Sequence, residues 1–263
     1  MNMCKVYVTA SQKGGVAKTT TAGSLGIGLA KKGNKVLLVD ADAQGSLTAS
    51  LGYKEPDSMN TTLAVILEKE IEDEEYDPNT FGILHHEEGV DLVPSNIELA
   101  ALEVSLIQVL SRETVLKRYI DKVKDNYDYI IIDSAPSLGL ITINVLVAAD
   151  RIIIPVQAAY LSVKGLEQLV KTIGRIRRSL NNQLGIDGIL ITMLDNRTVY
   201  AREIVDLLNN AYGKAIHIYD SKIPFSVRAV EATTKGVSIY SHDPKGKVAE
   251  AYTKFTEEVL ANA

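Results

Sequence analysis

The sequence has one cysteine, no tryptophan and no long apolar run, and these shortages exclude several classes of protein. Cys4 stands alone among 263 residues, so a disulfide within the chain and a zinc or iron–sulfur site built from several of its own cysteines are excluded. No run approaches the roughly 20 apolar residues that a membrane-spanning helix requires. The first residues also lack the segments of a secretory signal. We therefore expect a cytoplasmic protein.

The charge balance gives no general attraction to nucleic acid or to anionic membranes. The chain has 28 Lys and Arg against 33 Asp and Glu, with a net charge of −5 and a pI near 5.5. Such a protein needs a local basic patch if it is to bind DNA. Its 46% hydrophobic content is sufficient for a substantial core, and no repeat or linker divides the chain. We expect one domain over 1–263.

Short apolar runs alternate with longer helical patterns along the chain. Val36-Leu37-Leu38-Val39 is apolar on both faces of a strand, which is typical of a buried parallel sheet. The alternation predicts a doubly wound α/β fold with a mainly parallel sheet flanked by helices. The predicted strands are 5–9, 36–39, 129–132, 152–154 and 189–191. The predicted helices are 18–32, 96–124, 138–148, 162–181, 199–210 and 245–261.

The segment 68–88 has the least globular composition. Glu72-Asp73-Glu74-Glu75 lies at its centre, and runs of like charge are commonly solvated. We therefore expect an acidic surface insertion here rather than an interaction motif.

The stretch SQKGGVAKTT (11–20) has the setting of a phosphate-binding loop without the usual glycines. It directly follows the first predicted strand and precedes a helix-forming stretch. The common pattern is Gly, four residues and Gly-Lys-Ser/Thr, and here Gln12 and Ala17 occupy its two glycine positions. Strand, loop, Lys-Thr pair and helix nevertheless coincide, which favours a nucleotide site over an ordinary turn.

Each residue type in this loop has a chemical use. Gly14 and Gly15 permit close approach of the backbone to a ligand, and N–H groups ahead of a helix can hold phosphate oxygens. Lys18 can reach the outer phosphates, and the Thr19 hydroxyl is placed to coordinate Mg²⁺. The other loop residues expected at the nucleotide are Lys13, Val16, Ala17 and Thr20.

Carboxylates are expected beside the loop, because the carboxyl ends of parallel strands share one edge of the sheet. Asp40 ends the second apolar run, and Asp133 ends the run 129–132. Asp133 has the position of the acidic residue that holds Mg²⁺ in P-loop enzymes, and Asp40 is a second candidate metal ligand. Asp42 could position or deprotonate the attacking water. A strand-end aspartate alone is more often a helix cap or turn former.

These motifs together resemble the ParA/MinD group of ATPases. Residues 13–19 match the deviant Walker A pattern Lys-Gly-Gly-x-x-Lys-Ser/Thr, although most members have glycine at the position of Ala17. A methyl group there is expected to crowd the backbone beside Lys18, so ATP binding is expected to survive in a weakened form. Further motifs are similar to those of ParA/Soj-type partition ATPases over nearly the whole chain: 40–45, 132–136, 190–198, 223–224 and 227–228.

The resemblance implies an ATP-dependent sandwich dimer that hydrolyses MgATP slowly. In that family the early lysine, here Lys13, reaches the phosphates bound by the partner subunit and supplies a cation to the developing negative charge. By resemblance, Pro224 and Ser226 border the nucleotide base. The family more often has Arg-Asn where this chain has Phe225-Ser226.

The resemblance also implies DNA binding without sequence preference and a ParB-like activator protein. Arg197 and Arg228 align with family positions implicated in DNA contact. Helical spacing gives a second candidate, since Lys171, Arg175 and Arg178 lie at i, i+4 and i+7, although a charged face is commonly only a solvated one. The ATP-bound protein is expected on the nucleoid, with a plasmid, a chromosome, a mobile element or a protein assembly as its cargo.

Other branches of the group remain as alternatives. A MinD-like membrane-cycling ATPase carries a basic amphipathic C-terminal helix, whereas 247–260 mixes charges and ends acidic, which suits anionic lipid poorly. Its apolar face is expected to pack against the domain. The iron–sulfur branch needs paired cysteines. A protein-cargo-positioning ATPase and a non-enzymatic nucleotide switch stay open.

Overall fold

The predicted apolar runs form strands of one sheet in a computed structural model that describes residues 3–158, 160–195 and 199–262. The strands are β1 (Lys5–Thr9), β2 (Val36–Ala41), β3 (Leu84–His85), β4 (Asp91–Val93), β5 (Tyr129–Ser134), β6 (Arg151–Gln157), β7 (Gly185–Leu194) and β8 (Ile218–Pro224). The helices are α1 (Lys18–Lys31), α2 (Ser46–Ser50), α3 (Leu63–Glu72), α4 (Glu98–Ser105), α5 (Val115–Val123), α6 (Leu140–Ala148), α7 (Tyr160–Ser179), α8 (Val199–Tyr212), α9 (Val227–Lys235), α10 (Ile239–His242) and α11 (Lys247–Asn262).

The strands are ordered β3-β4-β2-β5-β1-β6-β7-β8. β3 runs antiparallel to β4, and the other neighbours pair in parallel. The sequence-based prediction of a doubly wound, mainly parallel α/β sheet is therefore confirmed. The register places Asp133 level with Thr9 on one side and with Asp40 on the other. This edge is where the chain leaves β1 for the loop 10–17.

Each face of the sheet is covered by its own apolar core. Val8 of β1 belongs to one core and Tyr7 to the other. A strand that is apolar on both faces needs helices on both sides to remove it from water. α1 lies so close to β2 that a Cβ on Gly26 would clash with the side chain of Leu38. Glycine at this position thus allows the helix that follows the loop to pack tightly on the sheet.

The single helix predicted over 96–124 is wrong. The structure has two helices there, α4 and α5, separated by 3₁₀ turns and by Ser111, whose φ is 54°. Val104, Ile107 and Leu110 have helical spacing but are 67%, 58% and 91% exposed. Their apolar periodicity therefore does not mark a buried helix face, and the spacing alone could not reveal this.

Several elements, among them α3, β4, β8 and α9, were not predicted. β8 shows why, because its residues alternate between the two sides of the strand instead of forming an apolar run. Tyr219, Ser221 and Ile223 are buried, whereas Asp220 and Lys222 are exposed. Alternation of this kind is typical of a strand with one covered face. β8 is accordingly an edge strand of the sheet.

The acidic segment 68–88 begins inside α3 and includes β3. Glu70 is 3% exposed, and its carboxylate accepts hydrogen bonds from Nζ of Lys122, at 2.6 Å, and from the Tyr76 hydroxyl. Residues 72–75 are exposed, as expected of a solvated acidic run. The segment is thus attached to α5 through Glu70 and solvated at its centre.

The apolar face of α11 packs against the domain, as expected from its sequence. Val248, Tyr252, Phe255 and Val259 are buried, in the core that also contains residues of α1 and β8. Within the described ranges, no helix combines the length and apolar character needed to cross a membrane.

Candidate nucleotide-binding site

The loop 10–17 and the first turn of α1 present unpaired backbone N–H groups. Over the described part of the chain, no N–H from Gly14 to Thr20 has a hydrogen-bond acceptor. Such groups at a helix N-terminus carry partial positive charge and bind anions. The loop therefore has the geometry of a phosphate site.

Two residues of the loop have a left-handed backbone conformation. Gly15 has φ 71°, which costs glycine nothing because it lacks a Cβ. Ala17, directly before α1, has φ 58° and ψ 32°, a conformation that costs an L-residue about 1–2 kcal/mol. This gives a conformational reason for glycine at this position, in addition to the crowding expected beside Lys18. The weaker ATP binding expected from Ala17 stays a prediction.

Lys18 and Asp133 form a buried ion pair beside the loop. Nζ of Lys18 lies 3.1 Å from Oδ1 of Asp133, and the two side chains are 8% and 0% exposed. The Thr9 hydroxyl donates to the same oxygen at 3.2 Å. Burial raises the pKa of Asp133, while Lys18 and the Thr19 hydroxyl act to lower it. The structure thus brings together the lysine, the hydroxyl and the carboxylate that the sequence singled out.

The second oxygen of Asp133 fits a metal ion or its water. Oδ2 is buried and has no hydrogen-bond partner among the described residues, an arrangement that is costly unless a ligand satisfies it. The Thr19 hydroxyl is close enough to influence the pKa of Asp133. A carboxylate and a hydroxyl are hard oxygen donors, which is the ligand type that Mg²⁺ prefers.

Asp40 is held by the helix that follows it. Its Oδ2 accepts hydrogen bonds from the N–H and the hydroxyl of Thr48, both at 2.8 Å, and its Oδ1 accepts one from the N–H of Asp42 at 3.3 Å. Burial and the charge of Asp133 raise the pKa of Asp40 to about 7. These contacts favour a role in fixing the chain after β2. Metal binding by Asp40 stays a prediction.

Asp42 lies just past the end of β2. Its Oδ1 accepts a hydrogen bond from the N–H of Gln44 at 3.1 Å, and Gly45, with φ 58°, then turns the chain into α2. Its carboxylate is near enough to Asp133 to act on the pKa of that residue. Asp42 therefore belongs to the same carboxylate cluster as Asp133, with one oxygen fixed by the turn.

The residues predicted at the nucleotide base lie where β8 ends. The N–H of Phe225 donates to the Leu194 carbonyl at 3.1 Å. Oγ of Ser226 accepts from the N–H of Arg228 at 3.2 Å and so caps α9. Ser226 thus has a structural use as a helix cap. Contact of Pro224 and Ser226 with a base stays a prediction.

The candidate DNA contacts fall in two places. Arg228 is exposed on α9, where its Nη1 lies 3.2 Å from Glu231 Oε2. Arg197 lies outside the described residues. On α7, Lys171, Arg175 and Arg178 are exposed, as their spacing predicts.

Sequence reasoning missed three threonines that hold the site. Thr9 binds Asp133, Thr48 binds Asp40, and the Thr192 hydroxyl donates to the Val16 carbonyl at 2.9 Å. Thr9 and Thr192 lie in apolar strand sequences near their carboxyl ends. A polar residue in such a position was the available signal, because buried polar groups need partners.

Known proteins are similar to this chain over most of its length. A family model described as an AAA domain matches residues 4–186. The chain is 40% identical to the sporulation initiation inhibitor protein Soj of Bacillus subtilis, over 99% of this chain and 100% of that protein. It is 35% identical to the chromosome partitioning protein ParA of Caulobacter vibrioides, over 99% of this chain and 95% of that protein.

A solved structure has a similar fold and holds a nucleotide. The cobyrinic acid a,c-diamide synthase of Mycobacterium smegmatis, with a bound ATP analog and magnesium, superimposes with a TM-score of 0.84 and 35% identity. The match covers 98% of this chain and 94% of that one. The similarity therefore includes the loop, both cores and the edge of the sheet where the carboxylates meet.

Proposed function

The chain belongs to the ParA/Soj family of P-loop ATPases, and from this membership we propose that MgATP joins two copies into a dimer that binds DNA. Slow hydrolysis then returns the chain to a monomer that leaves the DNA. The cycle segregates or positions a cargo such as a plasmid, a chromosome or a mobile element. The relative named as a chromosome partitioning protein supports this use.

The observation that carries the nucleotide part is the buried pair of Lys18 and Asp133 beside a loop whose N–H groups have no acceptor among the described residues. The N–H groups and the α1 dipole offset the charge of the inner phosphates, and Lys18 offsets that of the outer ones. A change of side-chain rotamer would let Lys18 exchange the carboxylate for a phosphate. An ordinary Gly-containing turn has no use for a buried lysine.

Thr19 and Asp133 would hold Mg²⁺, because they offer hard oxygens beside the loop and Oδ2 of Asp133 has no partner in the described structure. When bound, the ion neutralises phosphate charge. The ATP analog and magnesium in the Mycobacterium smegmatis structure support this pair of cofactors. The synthase activity in that protein's name is not part of the proposal.

Two further residues are assigned to hydrolysis. Asp42 orients or deprotonates the attacking water, and its position in the carboxylate cluster supports this role. Lys13 acts on the phosphates held by the other subunit, as the family resemblance implies. Supplying this cation from the partner couples the reaction to dimerisation, because the developing negative charge is stabilised only in the dimer.

DNA binding is assigned to Arg228, with Arg197 beyond the described residues and the exposed α7 residues as a second patch. Binding without sequence preference rests on neutralising phosphates. Because the chain has a net charge of −5, DNA binding needs a local basic patch, and joining two copies of that patch would raise the affinity for DNA. A DNA-bound, ParB-like protein is the proposed activator, and the ATP-bound protein is nucleoid-associated.

The membrane-cycling alternative is less well supported. The apolar residues of α11 that a lipid surface would need are buried in the domain core. This burial favours DNA over membrane as the binding surface.

Size-exclusion chromatography with and without nucleotide tests the proposed dimer. Asp42→Ala is expected to bind MgATP without hydrolysing it, and therefore to elute as a dimer with MgATP and as a monomer with MgADP or no nucleotide. A monomer under saturating MgATP contradicts the proposal. Co-sedimentation of the same samples with duplex DNA and with anionic vesicles separates the DNA cycle from the membrane cycle.

A further inference from the structure

The two peptide groups on either side of the Ala17 Cα are each held by hydrogen bonds. The Thr192 hydroxyl of β7 donates to the Val16 carbonyl at 2.9 Å in a buried setting. The Ala17 carbonyl accepts from the N–H of Thr21, at 2.9 Å, and from its hydroxyl, at 2.7 Å. The loop is thus attached to the sheet on one side of Ala17 and to α1 on the other.

This attachment sets the direction of one N–H group. A trans peptide points its C=O and its N–H in opposite directions, and the chain has no cis bonds among the described residues. Since the Val16 carbonyl faces Thr192, the N–H of Ala17 faces away from it. That N–H has no acceptor in the described structure, so it belongs to the group of donors available to a phosphate.

The backbone preference of alanine opposes this orientation. Ala17 has φ 58°, in the left-handed region that an L-residue rarely adopts. Rotating the peptide by half a turn would bring φ of Ala17 to roughly −120°, where steric hindrance is smaller. The rotated peptide would turn the Val16 carbonyl oxygen toward the phosphates. An acceptor would then replace a donor, and an anion would be repelled.

We infer that Thr192 is a positioning residue for the nucleotide, because its hydrogen bond to Val16 holds this peptide with the Ala17 N–H toward the phosphates. The inference rests on the proposed binding of MgATP at this loop. Glycine at position 17 would have no preference for the rotated peptide. Thr192 therefore matters more in a chain with alanine there.

Isothermal titration of MgATP into the purified chain measures the effect. Thr192→Val removes the hydroxyl at nearly constant volume, and the dissociation constant is expected to rise about five-fold or more, as for loss of one net hydrogen bond. Thr192→Ser keeps the donor and is expected to restore most of the affinity. The matched control is Thr142→Val, since Thr142 is also buried and its hydroxyl has no partner in the described structure. The control is expected to bind as the unchanged chain does.

Thr192→Val in an Ala17→Gly chain shows whether Thr192 acts by orienting the Val16–Ala17 peptide or only by stabilising the fold. With glycine, Thr192→Val is expected to change the dissociation constant less than about two-fold, because the competing orientation has lost its advantage. An equal loss of affinity in both backgrounds, or no loss with alanine, overturns the inference.

The test still decides if Thr192→Val does not fold or if the unchanged chain does not bind MgATP. If Thr192→Val does not fold, Thr192→Ala in the unchanged chain and in the Ala17→Gly chain gives the same comparison. Affinity for MgATP is expected to fall with alanine at position 17 and much less with glycine, and an equal loss in both chains overturns the inference. If the unchanged chain does not bind MgATP, the proposed function fails and this inference with it. If the unchanged chain binds MgATP and Thr192→Val binds it equally well, the inference about Thr192 fails while the proposed function stands.

Discussion

Nζ of Lys18 lies 3.1 Å from Oδ1 of Asp133, and both side chains are buried. A buried ion pair contributes little net stability, because the loss of hydration cancels much of the attraction. The pair also leaves Oδ2 of Asp133 without a partner in the described structure. A pair that stabilises weakly and is incompletely satisfied is better explained by chemistry at the loop than by folding.

Replacing Lys18 separates its contribution to nucleotide binding from its contribution to stability. Lys18→Met is expected to abolish MgATP binding and to leave Asp133 buried without its cation, which lowers the free energy of unfolding by about 3–5 kcal/mol near neutral pH. Burial already raises the pKa of Asp133, and loss of Lys18 raises it further. The folded state then holds a proton more tightly than the unfolded one, so the stability of the variant falls as the pH rises.

Urea unfolding at pH 5.5 and pH 8, with titration of MgATP, checks this prediction. Adding Asp133→Asn to Lys18→Met removes the uncompensated charge, so stability is expected to recover while nucleotide binding does not. A single variant that is as stable as the unchanged chain at pH 8 would show that the buried pair is not ionised.

Arginine substitutions test the proposed DNA surface. Arg197→Ala with Arg228→Ala is expected to weaken binding to duplex DNA by at least ten-fold and to leave MgATP binding unchanged. Removing one arginine that neutralises a phosphate also lowers the steepness of the salt dependence by about one. Fluorescence anisotropy at several salt concentrations, in the Asp42→Ala dimer, measures both effects.

The control for charge is Lys254→Ala, an exposed lysine on α11 that is paired with Glu250. It is expected to leave the salt slope unchanged. Arg175→Ala with Arg178→Ala asks whether the α7 patch adds to the same surface. Unchanged DNA retention by both arginine pairs removes the assignment to these residues.

Cys4 gives a check on the fold that does not depend on nucleotide. Burial, with the carboxylates of Asp150 and Asp128, raises the pKa of its thiol to about 12. Because the thiolate is the reactive form, alkylation by iodoacetamide at pH 8 is expected to be on the order of a thousand-fold slower in the folded chain than in urea. Equal rates, followed by mass spectrometry, would show that the Cys4 thiol is not buried beside the start of β1.

The strands of the central sheet were predictable because their two faces are both apolar. Observed β1 has the predicted bounds, and β2 and β5 extend two residues further. β8 was missed since its buried and exposed residues alternate, and the prediction over 96–124 failed since Val104 and Leu110 keep helical spacing on exposed positions. The spacing of apolar residues predicts the type of element, but it does not show which face of that element is covered by the rest of the fold.

The part of the candidate site that could be predicted consists of residues whose chemistry suits phosphate or Mg²⁺ in a recognisable local sequence. Lys18, Thr19 and Asp133 were predicted to lie together because phosphate and Mg²⁺ chemistry requires such residues next to a strand and a helix, and the structure brings them together. Thr192 was not found, because it lies 176 residues away from the carbonyl that it binds. The left-handed conformation of Ala17 is likewise a property of the folded loop, and a motif can only show that glycine is missing.

The central claim is that Lys13 acts on the nucleotide of the other subunit, and mixing two inactive variants tests it most directly. Lys13→Ala and Asp42→Ala are each expected to lack ATPase activity. In a mixed dimer, the site on the Lys13→Ala subunit keeps its own Asp42 and receives Lys13 from its partner. An equimolar mixture is then expected to recover about a quarter of the activity of the unchanged chain, since half of the dimers are mixed and each has one complete site. A mixture as inactive as its components, with mixed dimers shown to form, would contradict the claim.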